Sequence, residues 1–179
     1  MVPPATEIAS QPEPWLRGTL VELPAEQRAV LHALQLAQED IRRWCGSLTE
    51  EELSARSHGL PPVAFHLRHI VGSLDRLLTY AEGRTLNDEQ KRWMASGMDS
   101  STDRDEVMTL FENGLTDAEV RIRAIGMERW AEPRGVGRKQ LPTTVAGLLI
   151  HCAEHTQRHV GQAVTTAKVV FAQREQSSA

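Results

Sequence analysis

Four long segments of this chain place apolar residues three and four positions apart, a spacing that confines the backbone to helices with one buried stripe. From Ala25 to about Cys45 the stripe is Val30, Leu34, Ala37, Ile41 and Trp44. A second segment opens at Pro61 or Pro62, stops at Gly83 and carries Val63, Leu67, Ile70, Leu74, Leu77 and Ala81. The third, Arg104 to Ile125, carries Val107, Phe111, Leu115, Ala118, Ile122 and Ile125. The fourth begins after Pro142, with Thr143 or Thr144 as N-cap, and runs to about Gln173; its stripe is Val145, Leu148, Leu149, Cys152, Ala163, Val164, Ala167 and Val170. Long β-branched apolar runs are missing, so no parallel sheet is indicated and the expected class is all-α. Four helices of roughly 20 to 30 residues, each able to pack on two neighbours, predict a four-helix bundle.

The residues between these segments set the expected boundaries. Gly46 ends the first helix, and Ser47 with Glu50, or Thr49 with Glu52, has the capping-box spacing to begin a short turn. The polar connection from Arg84 to Asp103 is too long to be structureless in a compact domain, and Asn87 to Met94 is expected to form a short extra helix between the second and third. Such a connection can cover a site. Gly114 is the weak point of the third helix, and Glu132 to Gly137 reads as a loop. Residues 1–23, with Pro3, Pro4, Pro12 and Pro14, form an expected N-terminal arm pinned by Trp15 and Leu20. Residues 24–173 form the expected domain, and 174–179 a polar tail.

At 179 residues the chain suits one domain with its own core. Its 24 acidic and 20 basic residues give a net charge of −4, and no run of Lys and Arg stands out to track a phosphate backbone. No nucleic-acid partner is expected. No membrane span is expected either, because no stretch of about eighteen uncharged apolar residues occurs. Cys45 and Cys152 make no disulfide framework and read as small buried hydrophobes. The N-terminus lacks the basic start and apolar core of a secretory signal, so a cytoplasmic protein is expected.

Chemistry concentrates in the histidines. Leu148 to Gln162 reads LLIHCAEHTQRHVGQ and holds His151, His155 and His159 at four-residue spacing, which puts them along one strip of a helix. Two imidazoles at i and i+4 present nitrogens to a common point, as a zinc-type ion requires. On a helical wheel His159 lies closest to the apolar stripe, His155 further round and His151 furthest. His155 and His159 are therefore the expected ligand pair, with His151 outside it. A third ligand must come from another element, and Phe65-His66-Leu67-Arg68-His69-Ile70 supplies two candidates. Periodicity alone favours His66, which lies nearer the stripe than His69. Only one is needed, and the other is free to hydrogen-bond nearby. His32 and His58 read as ordinary surface or core residues.

Two other motifs fail. His151 to His155 fits H-x-x-E-H, the inverted zinc-protease signature, yet that fold takes its third ligand well downstream and only 24 residues follow His155. A di-iron bundle needs Glu-x-x-His pairs on two helices, and none occurs.

Thr144 to Gln162, with its H-x-x-E-H-x-x-R-H-x-G-Q run, resembles the last helix of the DinB-like (DinB/YfiT) metal-binding four-helix-bundle family. Phe65 to Ser73 resembles that family's earlier ligand helix, which ends in a histidine followed by an aliphatic residue. The resemblance spans roughly residues 25–172 in element order and rests mainly on the last helix. It implies a DinB/YfiT-type bundle and the ligand set His69, His155 and His159, against the periodicity argument for His66. Members often carry a Trp early in the second helix; Leu60-Pro61-Pro62 stands there instead, so packing beside His69 is expected to differ.

Three neutral imidazoles leave a divalent ion with an open position, as a catalytic site requires. Zinc is the default metal, with nickel or iron also suited to imidazole. Such an ion can activate a thiol or a water. The resemblance implies a metal-dependent transferase of a low-molecular-weight thiol onto an electrophile, with a small-molecule substrate and compatibility with a homodimer. A metal-dependent hydrolase and a non-catalytic metal-containing binding bundle are the alternatives. No catalytic residue is named. Glu154 points about 100° from His155, Asp75 reads as a surface residue, and Arg158 and Gln162 as helix-packing or interhelical hydrogen-bonding residues.

Overall fold

The structure, a computed structural model, describes residues 11–96 and 103–177. Within them the chain forms α1 (Ala25–Cys45), α2 (Glu50–Ser54), α3 (Val63–Ala81), α4 (Asp88–Ser96), α5 (Arg104–Ala124), β1 (Pro133–Val136), β2 (Leu141–Thr144) and α6 (Val145–Ser177). The fold is all-α apart from the short β-hairpin. Helix starts follow local chemistry. Thr49 and Glu52 form the capping box of α2, with Glu52 N–H donating to Thr49 Oγ1 at 3.2 Å and Thr49 N–H to Glu52 Oε2 at 2.9 Å. Asn87 and Gln90 repeat that reciprocal arrangement before α4, at 2.8 and 2.9 Å. Asp103 accepts from Glu106 N–H at the start of α5, and Thr144 from Gly147 N–H at the start of α6.

The long helices pack in the ring α1, α6, α3, α5, with α3 against α6 and α1 against α6 the most extensive interfaces. The predicted stripe of α3 is fully buried, as is that of α6 except for the partly buried Val164. Because α3 contacts α6 on one side and α5 on the other, it also buries His66, Ser73, Leu78 and Thr79. Its approach to α5 is close at Gly114, where a Cβ would sit 2.8 Å from both Val71 methyl carbons. The glycine that weakens α5 as a helix is the one that lets it reach α3. Arg121 of α5 ties the same pair together, donating to Asp75 at 2.8 Å and Glu82 at 2.7 Å.

Four expectations change. Glu132 to Gly137 is no plain loop: β1 pairs antiparallel with β2, Pro133 opposite Thr144 and Val136 opposite Leu141. The half-exposed ribbon has no apolar alternation to announce it. Arg134 donates to Ala81 O at 3.0 Å, closing the last turn of α3, and Ala146 N–H to Trp130 O at 2.9 Å. Second, α6 continues to Ser177 rather than ending near Gln173. Third, Trp15 does not pin the preceding segment, since it is 61% exposed; Pro14 is buried, Leu20 packs on the core, and Arg17 makes two 2.7 Å bonds to Glu39. Fourth, Asp75 is no plain surface residue, because it joins α3 to Arg121 and to Gln90 of α4. Residues 1–10 of the expected arm, 97–102 of the connection and 178–179 of the tail lie outside the described residues. Among the described residues no helix is long and apolar enough to cross a membrane.

Candidate metal centre

The α3/α6 interface brings together His69 from α3 and His155 and His159 from α6. One nitrogen from each of the three rings lies within 4.8 Å of the others. His155 and His159 are one helical turn apart on the same face, with ring centroids at 4.5 Å. His69 meets them across the interface, its centroid 4.3 Å from His159 and 5.0 Å from His155. All three are partly buried, so the group sits at the edge of the interface rather than in its centre.

His69 Nε2 and His155 Nε2 are 3.2 Å apart. Metal–nitrogen bonds of about 2.0–2.1 Å in a tetrahedral site place two ligand nitrogens about 3.3 Å apart. The observed spacing matches that edge. Burial lowers the pKa of His69 and His155 to about 4 each, with the neighbouring His159 adding to the shift. His159 is also lowered, by burial and then by Arg158. At neutral pH the three rings are thus uncharged, the form that offers a lone pair to a cation. The residues fit a divalent ion of the zinc type.

His66 takes a different place. It is only 1% exposed and lies behind the group, its Nδ1 at 3.0 Å from His159 Nδ1. Its Nε2 is buried with no hydrogen-bond partner among the described residues. The wheel argument that favoured His66 identifies the most buried imidazole of α3, whereas the group of three that converges contains the half-buried His69. His151 is outside the group; 43% of its side chain is exposed and its Nδ1 faces Glu154 at 3.3 Å. Glu154 and Arg158 pair with each other on the exposed face of α6 at 2.5 Å, and Gln162 is exposed. Arg158 therefore spans one helix rather than two. His32 bonds Thr19 at 3.1 Å and His58 bonds Gln173 at 3.0 Å, the ordinary roles expected of them.

Two neighbours of His69 were not singled out from the sequence. Phe65, one turn earlier on α3, stacks on the His69 ring with an interplanar angle of 15° and centroids at 5.7 Å. Ser73, one turn later and buried, has its Oγ 3.4 Å from His69 Nε2. Spacings of i−4 and i+4 from His69 place both on its face, a signal that was available in the sequence.

The family model described as the DinB superfamily matches residues 33–163 of the chain. That span takes in α3, α5 and most of α6, with all three histidines. Searches of curated proteins and of solved structures find no match.

Proposed function

Because the chain belongs to the DinB superfamily, whose members bind metal, we propose that His69, His155 and His159 hold a divalent ion, zinc by default, in a site that transfers a low-molecular-weight thiol onto a small electrophile. One observation carries the reading. Three imidazoles from two helices converge within 4.8 Å, and no carboxylate or thiol joins them among the described residues. When bound, such an ion supplies a Lewis acid that makes a thiol or a water a stronger nucleophile near neutral pH.

The protein's own part is to hold the site. His155 and His159 are set by the backbone of α6, and His69 is set by Phe65 on its ring face and by the packing of α3 on α6. Neither cysteine competes as the nucleophile. Cys152 is fully buried and its thiol is pushed up to about 12 by burial, as is that of Cys45. The reacting thiol must therefore come from a small molecule.

Metal content after purification tests the ligand set. His69→Ala, His155→Ala and His159→Ala should each lose the ion, and His151→Ala should keep it. Retention of metal by His69→Ala would sink the assignment. Turnover is tested with the zinc-loaded protein, glutathione, mycothiol-type and bacillithiol-type thiols, and a model electrophile, beside ester substrates. Hydrolysis without thiol transfer would replace the transferase by a hydrolase. Inactivity on both would leave a metal-containing binding bundle.

A further inference from the structure

We propose that His66 is a positioning residue for this site: it accepts a hydrogen bond from His159 Nδ1–H, which fixes the orientation of that ring beside His69 and His155 and leaves His159 Nε2 as the nitrogen free to bind an ion. The proposal rests on the metal reading, which selects between the two polarities of the contact, while the tautomer itself is read in the ion-free protein.

The two Nδ1 atoms are 3.0 Å apart, a hydrogen-bond distance that needs one proton between them. Two polarities exist. If His66 Nδ1–H donates, the neutral His159 ring must carry its own proton on Nε2, and that nitrogen is lost as a ligand. If His159 Nδ1–H donates, His159 Nε2 is bare, and His66 keeps its proton on Nε2 instead. Only the second polarity leaves α6 with two ligands. A metal-binding histidine commonly donates its other N–H to a fixed acceptor, which sets both tautomer and ring orientation. Here the acceptor is another imidazole.

Burial bears on why this residue is a histidine rather than on the polarity of the bond. His66 lies at 1% exposure, and its Nε2 finds no partner among the described residues. An unpartnered buried polar atom costs stability, so an aliphatic residue of similar size would serve the core better. Packing thus fails to account for an imidazole at this position. The contact to His159 does.

Imidazole 15N chemical shifts of the wild-type apoprotein read the tautomer directly. The expected result is a protonated Nδ1 and a bare Nε2 on His159, with the zinc-induced shift falling on His159 Nε2. His66→Leu should release the tautomer and weaken zinc about 10–100-fold, with the apoprotein's melting temperature held or raised. His66→Asn, whose Oδ1 stands in for Nδ1, should recover most of the affinity. Protonated Nε2 on His159 in the wild type overturns the proposal, as does a zinc-induced shift at His66 Nδ1. A loss of affinity in His66→Leu that tracks a fall in melting temperature and is not recovered by His66→Asn also overturns it. Absence of metal binding by the wild type would refute the metal reading alone, since the tautomer is still read in the apoprotein.

Discussion

Gly114→Ala pits two effects of opposite sign against each other. In an exposed helix interior, replacing glycine by alanine gains about 1 kcal/mol, because the unfolded backbone has less freedom to lose. At this position the new Cβ would lie 2.8 Å from both methyl carbons of Val71 and 3.2 Å from its Cβ. Both methyls face it, so no rotation of Val71 alone clears the space, and α3 and α5 must separate or the side chain must leave its rotamer. Overpacking of that kind costs about 1–3 kcal/mol. The net expectation is a loss of up to about 2 kcal/mol. For a chain of this size about 2–4 °C accompanies each kcal/mol, so the melting temperature should fall by up to about 8 °C rather than rise by about 2–4 °C. Val71→Ala removes the opposing methyls, and in that background Gly114→Ala should become neutral or stabilising. Thermal unfolding of the four proteins of this cycle measures the coupling. A higher melting temperature for Gly114→Ala in the wild-type background would refute the close-approach reasoning. The same variants address function, because α3 carries His69: a displaced α3 should weaken zinc as well.

Three further outcomes follow from the packing and the charges. Arg121→Leu removes the cation shared by Asp75 and Glu82. Denaturant unfolding should show a loss of about 1–3 kcal/mol, below the value for a fully buried pair because Asp75 is 45% exposed. Cys45 and Cys152, buried and with thiols near 12, should resist a thiol-specific reagent at pH 8 in the native protein and both react in denaturant; rapid native labelling would contradict their placement. The apoprotein should also lose stability in mild acid. His66, His69 and His155 are lowered to about 4, against about 6.5 in an unfolded chain. Between those values the unfolded state binds more protons, so stability is full above about pH 6.5 and declines until about pH 4. A melting temperature that stays flat across this window would oppose the burial of neutral imidazoles.

The helices were legible because their apolar spacing repeats over several turns. Val63, Leu67, Ile70, Leu74, Leu77 and Ala81 are all buried as their period required. The hairpin was not legible, since Pro133 to Val136 and Leu141 to Thr144 lie half exposed at the edge of the bundle and no face of the ribbon needs an apolar row. Trp15 misled for a related reason. A large aromatic ring signals a capacity for burial, but in this segment Pro14, Leu20 and the Arg17–Glu39 pair hold the chain, and the indole stays outside. The ranking of His155 and His159 above His151 was readable from the wheel because all three share one helix. The order of His66 and His69 was not, because it depends on how α3 is rotated against α6, and rotation is a property of two helices at once.

That rotation connects the back of α3 to its chemistry. On the side facing α5, Gly114 admits Val71, and Arg121 grips Asp75, Thr79 and Glu82 along successive turns of α3 and at its end. These contacts leave α3 little freedom to turn about its own axis. With that side fixed, His66 is directed into the buried seam and His69 to its rim, because residues three apart differ by about 60° around a helix. Turning α3 by that amount would exchange their places and carry His69 into the buried seam. The convergence of the three histidines thus depends on contacts made on the far face of the helix that supplies His69.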